Sequence, residues 1–207
     1  MNGYFITFEG IEGAGKSTQA KLLAEYLEKE NKKVKLTREP GGTELGKEIR
    51  KILLTPTEEK FPPVAELFLY EADRNIHIHN VIKPFKEKGY YVISDRFIDS
   101  TLAYQGYARG LDIDLIKELN SIAIENILPD ITFLIDIPVE EGLSRIKKIR
   151  NMDRIEQENI DFHKRLREGF LKIAEDNPER VVVINGTQKP DQIFKQIITV
   201  LKQKNLI

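Results

Sequence analysis

The chain has 207 residues, 41% hydrophobic and 31% charged, with 32 Lys and Arg against 33 Asp and Glu and a net charge of −1. That length supports one well-buried core, so a single domain over 1–207 is expected, and the balanced charge argues against gripping nucleic acid through its phosphates. The lack of cysteine excludes disulfides and thiolate zinc sites, and no apolar stretch approaches the ~20 residues that cross a bilayer, so a soluble cytoplasmic protein with no membrane partner is expected.

The first predicted element is a strand at Tyr4–Phe8, an apolar run that leads into Gly10-Ile11-Glu12-Gly13-Ala14-Gly15-Lys16-Ser17. This segment fits the phosphate-loop pattern G-x-x-x-x-G-K-[ST] at every fixed position. Glycines let successive backbone N–H groups converge on phosphate oxygens, and a helix predicted over Lys16–Glu30 adds the partial positive charge of its N-terminus. Lys16 is then placed to reach the β- and γ-phosphates of a nucleoside triphosphate, and the Ser17 hydroxyl to ligate Mg²⁺.

Further strands are expected at Val34–Thr37, Tyr90–Ser94, Ile131–Ile135 and Val181–Ile184. Most are nearly continuous apolar runs, the mark of parallel strands covered on both faces. Helical periodicity covers Glu44–Leu54, Pro63–Lys88, Asp112–Asn126, Val139–Ile149, Gln157–Asp176 and Pro190–Lys204, with Gly89, Pro129, Pro138, Pro178 and Gly186 punctuating the boundaries. The fold class is α/β: three layers, about five parallel strands flanked by helices, with ligands at the carboxyl ends of the strands.

Those strand ends carry the next signals. Asp95 and Arg96 follow the third strand, an acid suited to Mg²⁺ and an arginine suited to a transferring phosphoryl group, or alternatively an ion pair opening a loop. Asp136, after the fourth strand, is expected to cap or pack. His77, His79 and His163 lack metal-ligand spacing and are expected on helix surfaces or at an interface. Arg145 to Arg154 holds five basic residues in ten. Such a run reads as a solvated helix face or as a mobile lid over about 142–156, and a neighbouring phosphate loop favours the lid.

Taken together, the chain resembles the thymidylate kinases over most of its length. The resemblance rests on Glu9 to Gln19 around the phosphate loop, Thr37-Arg38-Glu39-Pro40-Gly41-Gly42-Thr43, Leu67 to Arg74, Asp95 to Gly106, and Asp153-Arg154-Ile155-Glu156. It implies ATP and Mg²⁺ as cofactors, with Gly10 to Thr18 on the ATP phosphates and Ser17 and Asp95 at the metal. It implies dTMP as the acceptor. Glu12 would reach the sugar 3′-OH, Phe68 would stack on thymine, and Arg74 would hold the base edge or the acceptor phosphate region. Arg96 would contact the acceptor phosphate, while Ser100, Thr101 and Gln105 line the base. Tyr104 would crowd C2′ and so favour deoxyribose, and Pro40, flanked by Arg38 and Glu39, would pack the 5-methyl group.

Some members of that family carry an arginine inside the phosphate loop, where this chain has Gly13. Members with a small residue there, as in bacterial enzymes, place the catalytic arginine in the lid. Among Arg145, Arg150 and Arg154, Arg150 is the expected one. Family precedent also implies a homodimer, and Val64–Tyr70 could be core or a dimer face. A phosphate monoester is mostly dianionic at neutral pH, so such a reaction needs cations and alignment rather than a general base. Two rivals remain. A deoxynucleoside kinase would phosphorylate a 5′-hydroxyl, and a P-loop switch protein would need a guanine-reading N-K-x-D motif, which is missing here.

Overall fold

The N-terminal apolar run becomes β1 (Phe5–Glu9), buried at every residue, and it forms the middle of the sheet. The structure, a computed structural model, describes residues 3–148 and 151–207. Four more strands run parallel to β1: β2 (Val34–Arg38), β3 (Tyr91–Asp95), β4 (Ile131–Asp136) and β5 (Val181–Asn185), in the order β2-β3-β1-β4-β5. Each strand runs one residue past its apolar stretch. The polar closing residues stay in register, with Phe8 opposite Asp95, Arg38 opposite Asp95, Glu9 opposite Leu134 and Asp136 opposite Asn185. The ladder thereby fixes the charged residues of the site in position at the carboxyl edge.

Helix α1 (Lys16–Lys29) buries Ala20, Leu23, Ala24 and Leu27 at helical spacing against the sheet. Helix α2 (Glu44–Leu54) starts at Thr43, whose hydroxyl accepts from Gly46 N at 2.9 Å. The long helix predicted to Lys88 is interrupted: α3 (Pro63–His77) widens into a π-turn at Ile78–Ile82 before α4 (Lys83–Glu87). Pro84 has no N–H to continue the α ladder, and the widened turn falls just ahead of it. Then come α6 (Ile113–Ile124), α7 (Val139–Lys147), α8 (Ile160–Asp176) and α9 (Pro190–Gln203), close to their predicted ranges.

One helical segment was not legible in the periodicity, α5 (Ile98–Thr101) with its π continuation Leu102–Ala108. Its buried face includes the polar residues Asp99, Thr101 and Gln105, so the apolar stripe that marks a helix is missing. The main core lies between the sheet and α1, α8 and α9. A second cluster around Phe5, Ile78, Val92 and Phe97 closes the other face. No described helix is long and apolar enough to cross a membrane.

Candidate active site

The phosphate loop ends at Gly15, which precedes α1 in a left-handed conformation (φ 95°) with no side chain capping the helix. The first-turn N–H groups are therefore left for an anion. Gly13 is also left-handed (φ 74°), and a Cβ there would stand 2.3 Å from Gly142 O on α7. No side chain fits at Gly13, so any arginine acting on the phosphates must come from elsewhere. Lys16 is buried, and its Nζ donates to Ile11 O at 2.7 Å.

Across from the loop, the Ser17 hydroxyl donates to Asp95 Oδ2, placing a hydroxyl and a carboxylate side by side. Arg96 sits at φ 75°, a costly conformation for a residue with a Cβ. Four contacts hold it there. Its N–H donates to Phe8 O at 2.9 Å, Nη1 to Gly10 O (3.0 Å) and Ser100 Oγ (3.1 Å), and Nη2 to Glu12 Oε1 (3.1 Å). Arg96 thus pairs with Glu12 among the described residues, which removes the reading of Asp95 and Arg96 as a loop-opening ion pair. The Tyr104 hydroxyl also donates to Glu12, and the Arg96 guanidinium lies 5.0 Å from the Tyr104 ring centre. Glu9 fastens the next turn, accepting from Phe97 N (2.7 Å) and Ser100 Oγ (2.6 Å). Burial, with Asp99 nearby, pushes its carboxyl up to about 8.

These groups border a cavity of about 190 Å³ at the strand ends. Arg38, Pro40, Arg74 and Arg96 line it together with Glu12 and Lys16, while Ser100, Thr101, Tyr104 and Gln105 form the wall supplied by α5 and its continuation. Phe68 does not reach the cavity. It is 57% exposed, and Tyr70 lines the cavity instead. The reason is helical phase: Tyr70 lies four residues before Arg74 and shares its face of α3, whereas Phe68, six before, points away. Arg74 is more committed than expected, donating to Glu39 Oε2 (3.0 Å), Glu71 Oε1 (2.9 Å), Asn120 Oδ1 (2.8 Å) and Phe97 O (3.2 Å). Four of its five N–H groups are thereby used among the described residues.

His77 and His163 are buried, contrary to the surface placement expected for them; only His79 is exposed. His77 joins Thr37 Oγ1 (2.7 Å) to Glu39 Oε1 (2.8 Å) and so braces the carboxylate that holds Arg74. Arg50, unmarked in the sequence, also lines the cavity and donates to Pro40 O at 3.0 Å.

The cations crowd one another. Burial, with Arg96 nearby, lowers Lys16 to about 8; burial, with Arg38 nearby, lowers Arg50 to about 10. Lys16 is charged below pH 8, and a bound polyanion raises its pKa, so binding takes up a proton above that value. ATP affinity is therefore expected to be flat below pH 7 and to fall above pH 8 by up to ~10-fold per pH unit. Calorimetry at pH 8.5 in two buffers of different ionisation enthalpy should reveal the uptake; equal heats would contradict it.

On the basic run, Arg145 Nη1 donates to Gly13 O (3.1 Å) and Nη2 to Gly186 O (3.3 Å), which seats it on the phosphate loop. There it borders a second cleft that follows Gly13 to Gln19. Arg154 is turned elsewhere. It donates to Leu53 O at 2.8 Å and to the buried Glu66, and stacks on Phe61 at 4.5 Å. Arg150 lies outside the described residues. Asp136 packs as expected, receiving both Nε and Nη2 of Arg167 at 2.7 Å.

Residues 8–197 match the thymidylate kinase family model. The chain belongs to the thymidylate kinase family. It is 56% identical to a thymidylate kinase of Sulfurihydrogenibium sp., covering 99% of this chain and 100% of that one. With a thymidylate kinase of Carboxydothermus hydrogenoformans it shares 51% identity over 95% and 96% of the two chains. The crystal structure of thymidylate kinase from Ehrlichia chaffeensis superposes with a TM-score of 0.80 at 40% identity, over 98% of this chain and 99% of that one.

Proposed function

We propose that this thymidylate kinase family member transfers the γ-phosphoryl group of ATP to dTMP, giving dTDP and ADP, with both substrates held by one domain. The observation that carries the reading is the convergence of Lys16, Arg38, Arg50, Arg74 and Arg96 on one cavity beside a phosphate loop. The acceptor phosphate is already a nucleophile at neutral pH. Repulsion between two polyanions is the obstacle, and cations that are desolvated before substrate arrives relieve it at little reorganisation cost.

In this reading ATP lies along Gly10 to Thr18 and the cleft at Gly13 to Gln19, with Lys16 toward the transferring phosphoryl group. Arg96 directs the dTMP phosphate in line, Tyr70 and Pro40 sandwich the thymine, and Thr101 and Gln105 face the base edge. The touching Ser17 hydroxyl and Asp95 carboxylate form an oxygen-only pair of the kind Mg²⁺ takes alongside substrate phosphates. Bound there, Mg²⁺ would neutralise charge on the phosphates.

The lid cation assigned to the transferring group is Arg150. Arg150→Ala should depress kcat more than it raises KM for dTMP, because a lid residue engages on closure. Arg145→Ala is the comparison for a side chain already on the loop, and Arg154→Ala for one anchored on Glu66. A larger kcat loss at Arg145 or Arg154 would move the assignment, and normal turnover in all three would remove the lid from the chemistry.

We further propose a cytoplasmic homodimer. Val64 and Phe68 on α3 and Leu115 and Ile122 on α6 are exposed apolar side chains on two helices that pack together. Phe68→Glu is expected to reduce the sedimenting species from two chains to one, and an unchanged dimer would exclude that face.

A further inference from the structure

Glu12 engages only one of its carboxylate oxygens. Oε1 accepts from Arg96 at 3.1 Å and from the Tyr104 hydroxyl, whereas Oε2 is buried and meets no donor among the described residues. A buried carboxylate oxygen left in that condition is costly, so it marks a place where a donor belongs. Burial works against the charged form of Glu12, yet Arg96, Lys16 and the Tyr104 hydroxyl hold its pKa below the ordinary value. The group is an acceptor at neutral pH.

His163 Nδ1 lies 4.0 Å from that oxygen. The ring belongs to α8, is 1% exposed, and is held edge-on by Phe162 at 5.4 Å between centres. Its Nε2 is likewise buried without a hydrogen-bond partner among the described residues. A gap of 4.0 Å is too long for a direct hydrogen bond. It is the right length for a single oxygen bonded to both sides. That oxygen must donate to the carboxylate and accept from the imidazole N–H. A hydroxyl does both, as does a water that such a hydroxyl would displace; a carbonyl or a phosphate oxygen does not.

We propose that Glu12 and His163 form a hydroxyl-reading pair for the acceptor sugar, with the 3′-OH donating to Glu12 Oε2 and accepting from His163 Nδ1–H. The inference rests on the proposed placement of the deoxyribose against Glu12. It makes His163 a specificity residue supplied by a helix that also packs on the sheet and backs Tyr104, whose ring rests on Phe162 and Phe170 of α8. An acceptor without the 3′-OH leaves both buried polar groups unpaired, the situation in which discrimination is strongest.

The test compares kcat/KM for dTMP and for 3′-deoxythymidine 5′-monophosphate in the unmodified enzyme, His163→Phe, His163→Gln and Glu12→Ala. His163→Phe should shrink the preference for dTMP by about tenfold, the size of one lost hydrogen bond at a buried site. His163→Gln, whose amide can donate, should restore part of it. A purely structural histidine would lower both acceptors together and leave the ratio alone, which would overturn the proposal. If Glu12→Ala removes the preference while both His163 variants keep it, the pair fails and the placement of the sugar stands. If Glu12→Ala also keeps it, the placement itself is wrong, and the inference falls with it.

Discussion

Lys16→Ala is expected to lower phosphoryl transfer by ~10³-fold or more while leaving the fold intact. In the proposed reading the side chain is the charge aimed at the transferring group, and Gly10 to Ser17 holds no other cation to take its place. Its effect on stability should have the opposite sign to that on rate. Burial lowers Lys16 to about 8, so the folded state holds that proton less tightly than the unfolded chain does. The charged lysine therefore costs stability at pH 7, and the cost fades as pH rises through 8 toward 10.5. Alanine removes this cost and forfeits the bond to Ile11 O together with the attraction to Asp95 and Glu12, which offsets part of it. The melting temperature at pH 7 should be unchanged or higher. A variant that turns over normally would detach the loop from catalysis, and one that melts well below the parent would show that Lys16 supports the fold.

Arg96→Ala should cut the rate comparably and, unlike the lysine variant, also destabilise the protein. Its guanidinium is bonded to Gly10 O, Ser100 Oγ and Glu12, and Glu12 is mostly buried. Removing it strands a buried carboxylate, a change that costs ~3–5 kcal/mol where a buried pair is broken from one side. Arg96→Lys should not rescue the rate, since one ammonium cannot span three partners in a fixed fork. Denaturant unfolding and steady-state kinetics on the three proteins separate the effects. An Arg96→Ala enzyme as stable as the parent would mean that Glu12 finds another cation.

How much of this was legible beforehand depends on what each residue's signal was. Most of the strands are apolar runs, and all of them are present; the polar residues that end them looked like loop in the sequence but are held in the ladder. The phosphate loop is a local pattern, and the fold respects it residue by residue. Phe68 was the conspicuous aromatic of its segment, but helical phase puts Tyr70 on the face of Arg74, a relation that a count of four residues already contained. Residues Ile98 to Ala108 gave no helical signal because their buried face is partly polar, and that polarity is what builds the cavity wall. Arg50, Glu66 and His163 lie on helices whose amphipathic pattern accounts for them as ordinary surface or core. Only the tertiary packing brings Arg50 to Pro40, Glu66 to Arg154, or His163 to Glu12.

The most direct measurement is a coupled ADP-release assay that gives specificity constants for dTMP, dUMP, thymidine ribonucleotide 5′-monophosphate, AMP and unphosphorylated thymidine. dTMP should be the best acceptor. dUMP should follow at ~10–200-fold lower efficiency, the worth of one methyl group in an apolar pocket. The ribonucleotide should be rejected more strongly, because in the proposed placement its 2′-OH would meet the Tyr104 ring, and Tyr104→Ala should relax that step without changing the thymine-to-uracil ratio. Phosphorylation of thymidine in preference to dTMP, or equal use of AMP, would contradict the assignment.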